Sequence, residues 1–212
     1  GDWSSDVCSS DLTNYRLNPR KGWDIQLQFL AGTKKIKRNN DIIKLKDPTD
    51  PSFNFSGLYD SIKTSSYQLR IKANINRFFP LGRQIVLKTA LQNGWYQSPN
   101  IFKNELFQIG GYRLLRGFDE ESIYTDLYSV LTAELRYLIG NNSYFFGFAD
   151  GGYAHYAQSD IKYAHTYFGT GIGLAFETGS SIFNISYAIG KRDDLPMNVK
   201  QSKIHFGFIN FF

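Results

Sequence analysis

The sequence holds one cysteine, one methionine and no apolar run of the roughly 18 residues that a membrane helix needs. A single thiol, Cys8, makes no intrachain disulfide and no Cys-ligated metal cluster. The 24 Lys and Arg residues do not cluster into one run, so the formal net charge of +5 makes nucleic acid only a weak reading for a partner. The three histidines, His155, His165 and His205, are scattered. No Ser/His/Asp set, His-x-x-x-His or acid-rich metal spacing appears, so neither an enzyme nor a cofactor is expected.

Aromatic residues are abundant instead, at 17% with 14 Tyr and 18 Phe, and they sit in segments that alternate apolar with polar. "YQLRIKANINRF" alternates most cleanly. Tyr67, Leu69, Ile71, Ala73 and Ile75 take one face, and Gln68, Arg70, Lys72, Asn74 and Asn76 the other. Period two marks strands, and about eight such segments follow one another from "GWDIQLQFLAG" to "KIHFGFINFF". "FFPLG", "IGNNS" and "ETGSS" read as tight turns. The other connections are long, at roughly residues 33–65, 98–124, 156–165 and 190–201.

Residues 1–12, "GDWSSDVCSSDL", resemble the translation of a short-read sequencing adapter. The expectation is that they are a scar rather than natural sequence, that residues 13–212 are the natural part, and that the gene was cut upstream. Cys8 then leaves with the scar, as do Asp2, Asp6 and Asp11, and the rest is more basic still.

Two all-β classes compete. In a soluble sandwich, the face with Arg70 and Lys72 would be solvated; in a membrane barrel, it lines a wet lumen and the apolar face meets lipid. Strands of about ten residues suit a tilted crossing of a bilayer, whereas soluble strands average about five or six. Turns that alternate short and long are the habit of outer-membrane barrels. Rings near strand ends match interfacial girdles: Trp23, Tyr67, Phe78, Phe79, Trp95, Tyr96, Tyr128, Tyr137, Tyr144, Tyr153 and Tyr187. The pattern favours an antiparallel transmembrane β-barrel.

The long stretch "QIGGYRLLRGFDEESI", Gln108 to Ile123, then falls in an external loop. Arg116 stands among apolar residues, where a guanidinium is costly unless carboxylates meet it. Glu134 and Asp150 lie on the inward face of the next two strands, and two inward acids need a cation between them.

These residues resemble the BamA/TamA family of outer-membrane assembly factors, in the bacterial surface antigen superfamily. "GGYRLLRGF" resembles the family's signature loop, with Gly110, Gly111, Arg116, Gly117 and Phe118 in its pattern. "NPRKGW" resembles its Pro-x-x-Gly approach to a strand. "ELRY", with Glu134, resembles the acidic strand after the loop, and "FADGG", with Phe148, Asp150 and Gly152, its Phe-x-Asp-x-Gly. His205, Gly207 and Phe212 resemble the terminal signal read by the assembly machinery, although Asn210 stands where that signal usually carries an apolar residue.

The resemblance implies a sixteen-strand barrel, of which about eight strands are here as the C-terminal half, forming an open curled sheet. It implies that the loop folds into the lumen and that Arg116 pairs with Glu134 and Asp150. It implies periplasmic POTRA domains, which none of these residues resembles, and outer-membrane lipid and unfolded or partly folded client proteins as partners. The implied activity is insertion or translocation of other proteins without ATP or a cofactor. The alternative is a passive outer-membrane pore or secretion channel, with Arg70, Lys72 and Lys88 favouring anions.

Overall fold

The computed structural model describes residues 3–15, 17–35, 37, 39–45, 48, 50, 53–59, 65–158 and 161–210. Nine strands form one antiparallel sheet that does not close. In order across it, they are β1 (Trp3–Asp11), β2 (Gly22–Lys35), β3 (Ser65–Pro80), β4 (Ile85–Gln97), β7 (Leu127–Leu138), β8 (Tyr144–Gln158), β9 (Ile161–Thr178), β10 (Ser181–Arg192) and β11 (Lys203–Asn210). Two short strands, β5 (Phe107–Ile109) and β6 (Ile123–Thr125), pair with each other at the base of the long loop between β4 and β7.

Alternation sorts the two faces. On β7, Tyr128, Val130, Thr132, Glu134, Arg136 and Leu138 are buried on the inner face, while Leu131, Leu135 and Tyr137 are exposed on the outer one. The outer face is apolar and bare. Ile172 is 69% exposed and Phe206 73%. Leu135, Phe183, Ile185 and Phe208 are exposed too, and Leu69, Ile71, Ile75 and Leu174 are half-buried. No described element packs over them, and the described residues give the sheet no second layer. A soluble sandwich would bury this face, so that class is excluded.

Three sequence readings change. The ring girdle is smaller: Phe78, Tyr96 and Tyr128 are buried on the inner face, and Tyr144 packs there against Phe146. Strand parity separates them from Trp23, Tyr67, Phe79, Trp95, Tyr137, Tyr153 and Tyr187, which are exposed outside. The loop expected over 156–165 is shorter, because β8 and β9 continue their ladder to Gln158 and Ile161. His155 and His165 therefore stand in strands.

The third change concerns the first residues. β1 lies wholly within residues 1–12 and adds a ninth strand to the sheet by pairing along β2. Its register turns Ser4, Asp6, Cys8 and Ser10 to the side of Ala31, Phe29, Leu27 and Ile25. Its outward residues are therefore polar, the reverse of the eight other strands of the sheet.

Candidate functional site

The site forms where the loop after β4 lies on the inner face. β5 and β6 draw its ends together by pairing Ile109 with Ile123. Inside the hairpin, Gly110, Gly111 and Gly117 take positive φ angles of 108°, 103° and 95°. Leu115 also takes one, 63°, although it carries a side chain that resists it. Leu115 is 1% exposed, and a Cβ on Gly152 would come 2.9 Å from its Cδ1. Gly152 is thus the floor on which the strained leucine rests.

That turn aims Arg116 at two acids. Its Nε and Nη2 donate to the two oxygens of Asp150, both at 2.9 Å, and its backbone N–H donates to Asp150 Oδ2 at 3.0 Å. Its Nη1 donates to Glu134 Oε2 at 2.6 Å. Thr132 donates its hydroxyl to Asp150 Oδ1 at 2.8 Å. The register puts Asp150 opposite Thr132 and Glu134 opposite Phe148, so the acids are diagonal neighbours with room for one guanidinium between them. That guanidinium lies 3.5 Å above the Phe148 ring. Asp150 has no exposed side-chain surface. Removing one member of a pair this buried costs on the order of 3–5 kcal/mol, because the other charge is left alone.

The backbone beside Arg116 grips three more strands. A Cβ on Gly169 of β9 would fall 2.0 Å from the Arg116 carbonyl oxygen, and one on Gly190 of β10 would fall 2.5 Å from that of Gly117. Gly117 donates its N–H to His205 Nε2 on β11 at 3.0 Å, so that the neutral imidazole carries its proton on Nδ1. Tyr112 covers Gly207, where a Cβ would come 2.2 Å from its Cζ. Phe118 packs edge-on against Tyr167, with ring centres 5.3 Å apart. Arg116 and Gly117 together touch five successive strands, β7 to β11. A flat sheet would spread these over about 19 Å, so the sheet curls around the loop.

Among the residues singled out from the sequence, Gly110, Gly111, Arg116, Gly117, Phe118, Glu134, Phe148, Asp150, Gly152, His205 and Gly207 thus share one neighbourhood. Phe212 lies outside the described residues. The sequence reading missed Thr132 and Arg136, although parity puts both on the inner face beside Glu134. It also gave no role to Asn18, although Asn18 opens the NPRKGW stretch. Arg136 donates through Nε to Glu134 Oε1 at 2.9 Å and through Nη1 to Asn18 Oδ1 at 3.0 Å. Asn18 donates to the Asn141 carbonyl at 2.9 Å. A continuous polar chain therefore runs from Asp150 through Arg116, Glu134, Arg136 and Asn18 to the β7–β8 turn.

Two His–Asp pairs lie away from this site, at the long-loop end. His155 Nδ1 meets Asp126 Oδ1 at 2.9 Å, and His165 Nδ1 meets Asp193 Oδ1 at 2.8 Å. Neither ring is hydrogen-bonded to a hydroxyl or thiol among the described residues, so neither pair forms a nucleophilic triad. His165, Asp193 and Asp194 are close enough to share a cation. Asp194, however, is already forked by Arg192 at 2.5 and 2.9 Å. The Thr166 N–H and the His165 ring hold the Asp193 carboxyl below the usual carboxylate range, and Arg192 does the same to Asp194.

An open antiparallel sheet with a bare apolar outside and a charged loop pinned within has the form of part of a membrane β-barrel. The family model of the Omp85 superfamily domain matches residues 7–212, and the chain belongs to that superfamily. Its members are outer-membrane proteins that insert or translocate other proteins and are not enzymes. No curated protein matches the chain.

Proposed function

We propose that this chain is the C-terminal barrel portion of a protein assembly or translocation factor of the BamA/TamA kind, acting without ATP or a cofactor. The observation that carries the reading is the double clasp of Arg116 by Asp150 and Glu134. A passive pore gains nothing from spending a buried charge network on a loop across its own lumen. A factor that must hold its lumen in one state while a client passes does. Unfolded clients, outer-membrane lipid and periplasmic POTRA domains of a longer protein are the partners of this reading.

Residues 1–12 stand outside the proposed barrel. Their strand puts Asp6 where every other strand meets lipid, and an unpaired β2 edge will accept almost any proline-free segment.

A secretion channel or pore is the second reading, favoured by the inner-face cations Lys72 and Lys88. Full-length protein in lipid vesicles separates the two. Assembly is supported if a denatured client barrel becomes protease-resistant faster in its presence and Arg116→Ala slows this. Steady anion conductance without client folding would establish the pore.

A further inference from the structure

The outer face of β3 carries one charged residue, Arg77. It lies at the short-turn end, directly across the ladder from Trp23. Its guanidinium carbon sits 4.5 Å from the Trp23 ring centre and 5.0 Å from that of Phe79. Both rings are exposed on the same face. Arg77 Nε is shut off from solvent and has no hydrogen-bond partner. Among the described residues, no carboxylate pairs with it. Asp24, beside it in register, points inward and accepts from Asn76 Nδ2 at 3.0 Å. Lys21 and Arg83, exposed at the same end, make the surroundings more basic still.

A cation on a lipid-facing surface is expensive unless an anion meets it at the boundary. Rings cover the faces of a guanidinium, and with Nε enclosed the two Nη groups are the edge left to an acceptor. Phosphate oxygens match that edge as a fork. We propose that Trp23, Arg77 and Phe79 form a headgroup site that takes the phosphate of a membrane phospholipid in the leaflet at the short-turn end. The site rests on the outer-membrane reading, which makes that leaflet periplasmic. It anchors β2 and β3 to the leaflet through a charge.

The test uses the full-length protein in vesicles, with two photoreactive lipids. One carries the label in its acyl chain and the other beside a phosphatidylglycerol phosphate. Acyl-chain labelling of Leu135 and Ile172 reports whether the outer face meets lipid at all. Its absence overturns the membrane reading and this site with it. Given that labelling, headgroup labelling should concentrate at Trp23 and at Arg77 to Phe79, the short-turn ends of β2 and β3. It should fall about tenfold in Arg77→Gln, the weight of one charge-assisted bond. Arg77→Lys should recover only part, since it keeps the charge and loses the fork. Equal labelling in wild type and Arg77→Gln, with both proteins showing the same acyl labelling, overturns the proposal. So does loss of the headgroup signal on adding millimolar inorganic phosphate, which would make the site one for free anions. If Arg77→Gln does not insert, the wild type decides alone. The headgroup label moved onto a phosphate-free galactolipid should lose the signal, and an unchanged signal refutes the site.

Discussion

Arg136 donates to the Oδ1 of Asn18 at 3.0 Å across 118 residues of chain, and both side chains are buried. This bond ties the segment before β2 to the strand that carries Glu134. Asn18→Ala would leave an Arg136 donor and the Asn141 carbonyl without partners. The expected loss is about 1–3 kcal/mol, measured as a shift in urea midpoint in lipid vesicles. Arg136→Met should cost more, because Glu134 then keeps only Arg116 as a hydrogen-bonded cation, with Lys88 opposite it across the ladder. An Asn18→Ala protein as stable as wild type would show the bond to be idle.

Arg116→Ala and Asp150→Ala should each destabilise the fold by about 3–5 kcal/mol, and the double variant by little more. Arg116→Lys should rescue poorly. A lysine is a point donor and cannot span Asp150 and Glu134 together. Additive losses in the double variant would dissolve the idea of a single clasp.

Gly169→Val and Gly190→Val should push the loop off the inner face, since their Cβ atoms would meet the carbonyls of Arg116 and Gly117. Added protease should then cut between Tyr112 and Phe118 several times faster than in wild type. Gly151→Ala is the control: no atom lies within 4 Å of its Cβ position, so cleavage should stay slow.

Ile172→Arg should cost about 2–4 kcal/mol in a bilayer if the residue lies near its middle. Folding yields in thick and thin bilayers check this. Indifference of the folded fraction to the arginine would count against a lipid-facing sheet.

The 212-residue chain by itself should aggregate. β11 ends the sheet with its outer edge unpaired, and an open edge invites another chain. A monodisperse, closed barrel in detergent, seen by size exclusion and hydrogen exchange at β11, would be the contrary outcome.

The architecture was legible because every strand residue reports its face. Counting by twos from Tyr67 separates Ile71 from Lys72, and the same count turns Glu134 and Asp150 inward. Parity was also the part misapplied. Phe78 and Phe79 are adjacent rings at one strand end, yet only Phe79 faces out. β5 and β6 were illegible because three residues are too few to show a period. Asn18 was illegible for a different reason: its partners are set by how a distant turn curls back, and nothing within several residues of it encodes that. The strain at Leu115 leaves no trace in composition either, since leucine normally avoids that conformation.

The bond from Gly117 to His205 has a meaning in time. The acids that hold Arg116 follow the loop in the chain by only 18 and 34 residues, whereas His205 follows Gly117 by 88. Near contacts close sooner than far ones, so the carboxylates can capture the arginine while the last strand is still loose. The imidazole arrives afterwards and meets an amide that has been waiting. A loop seated with that amide satisfied therefore certifies that the final strand is home.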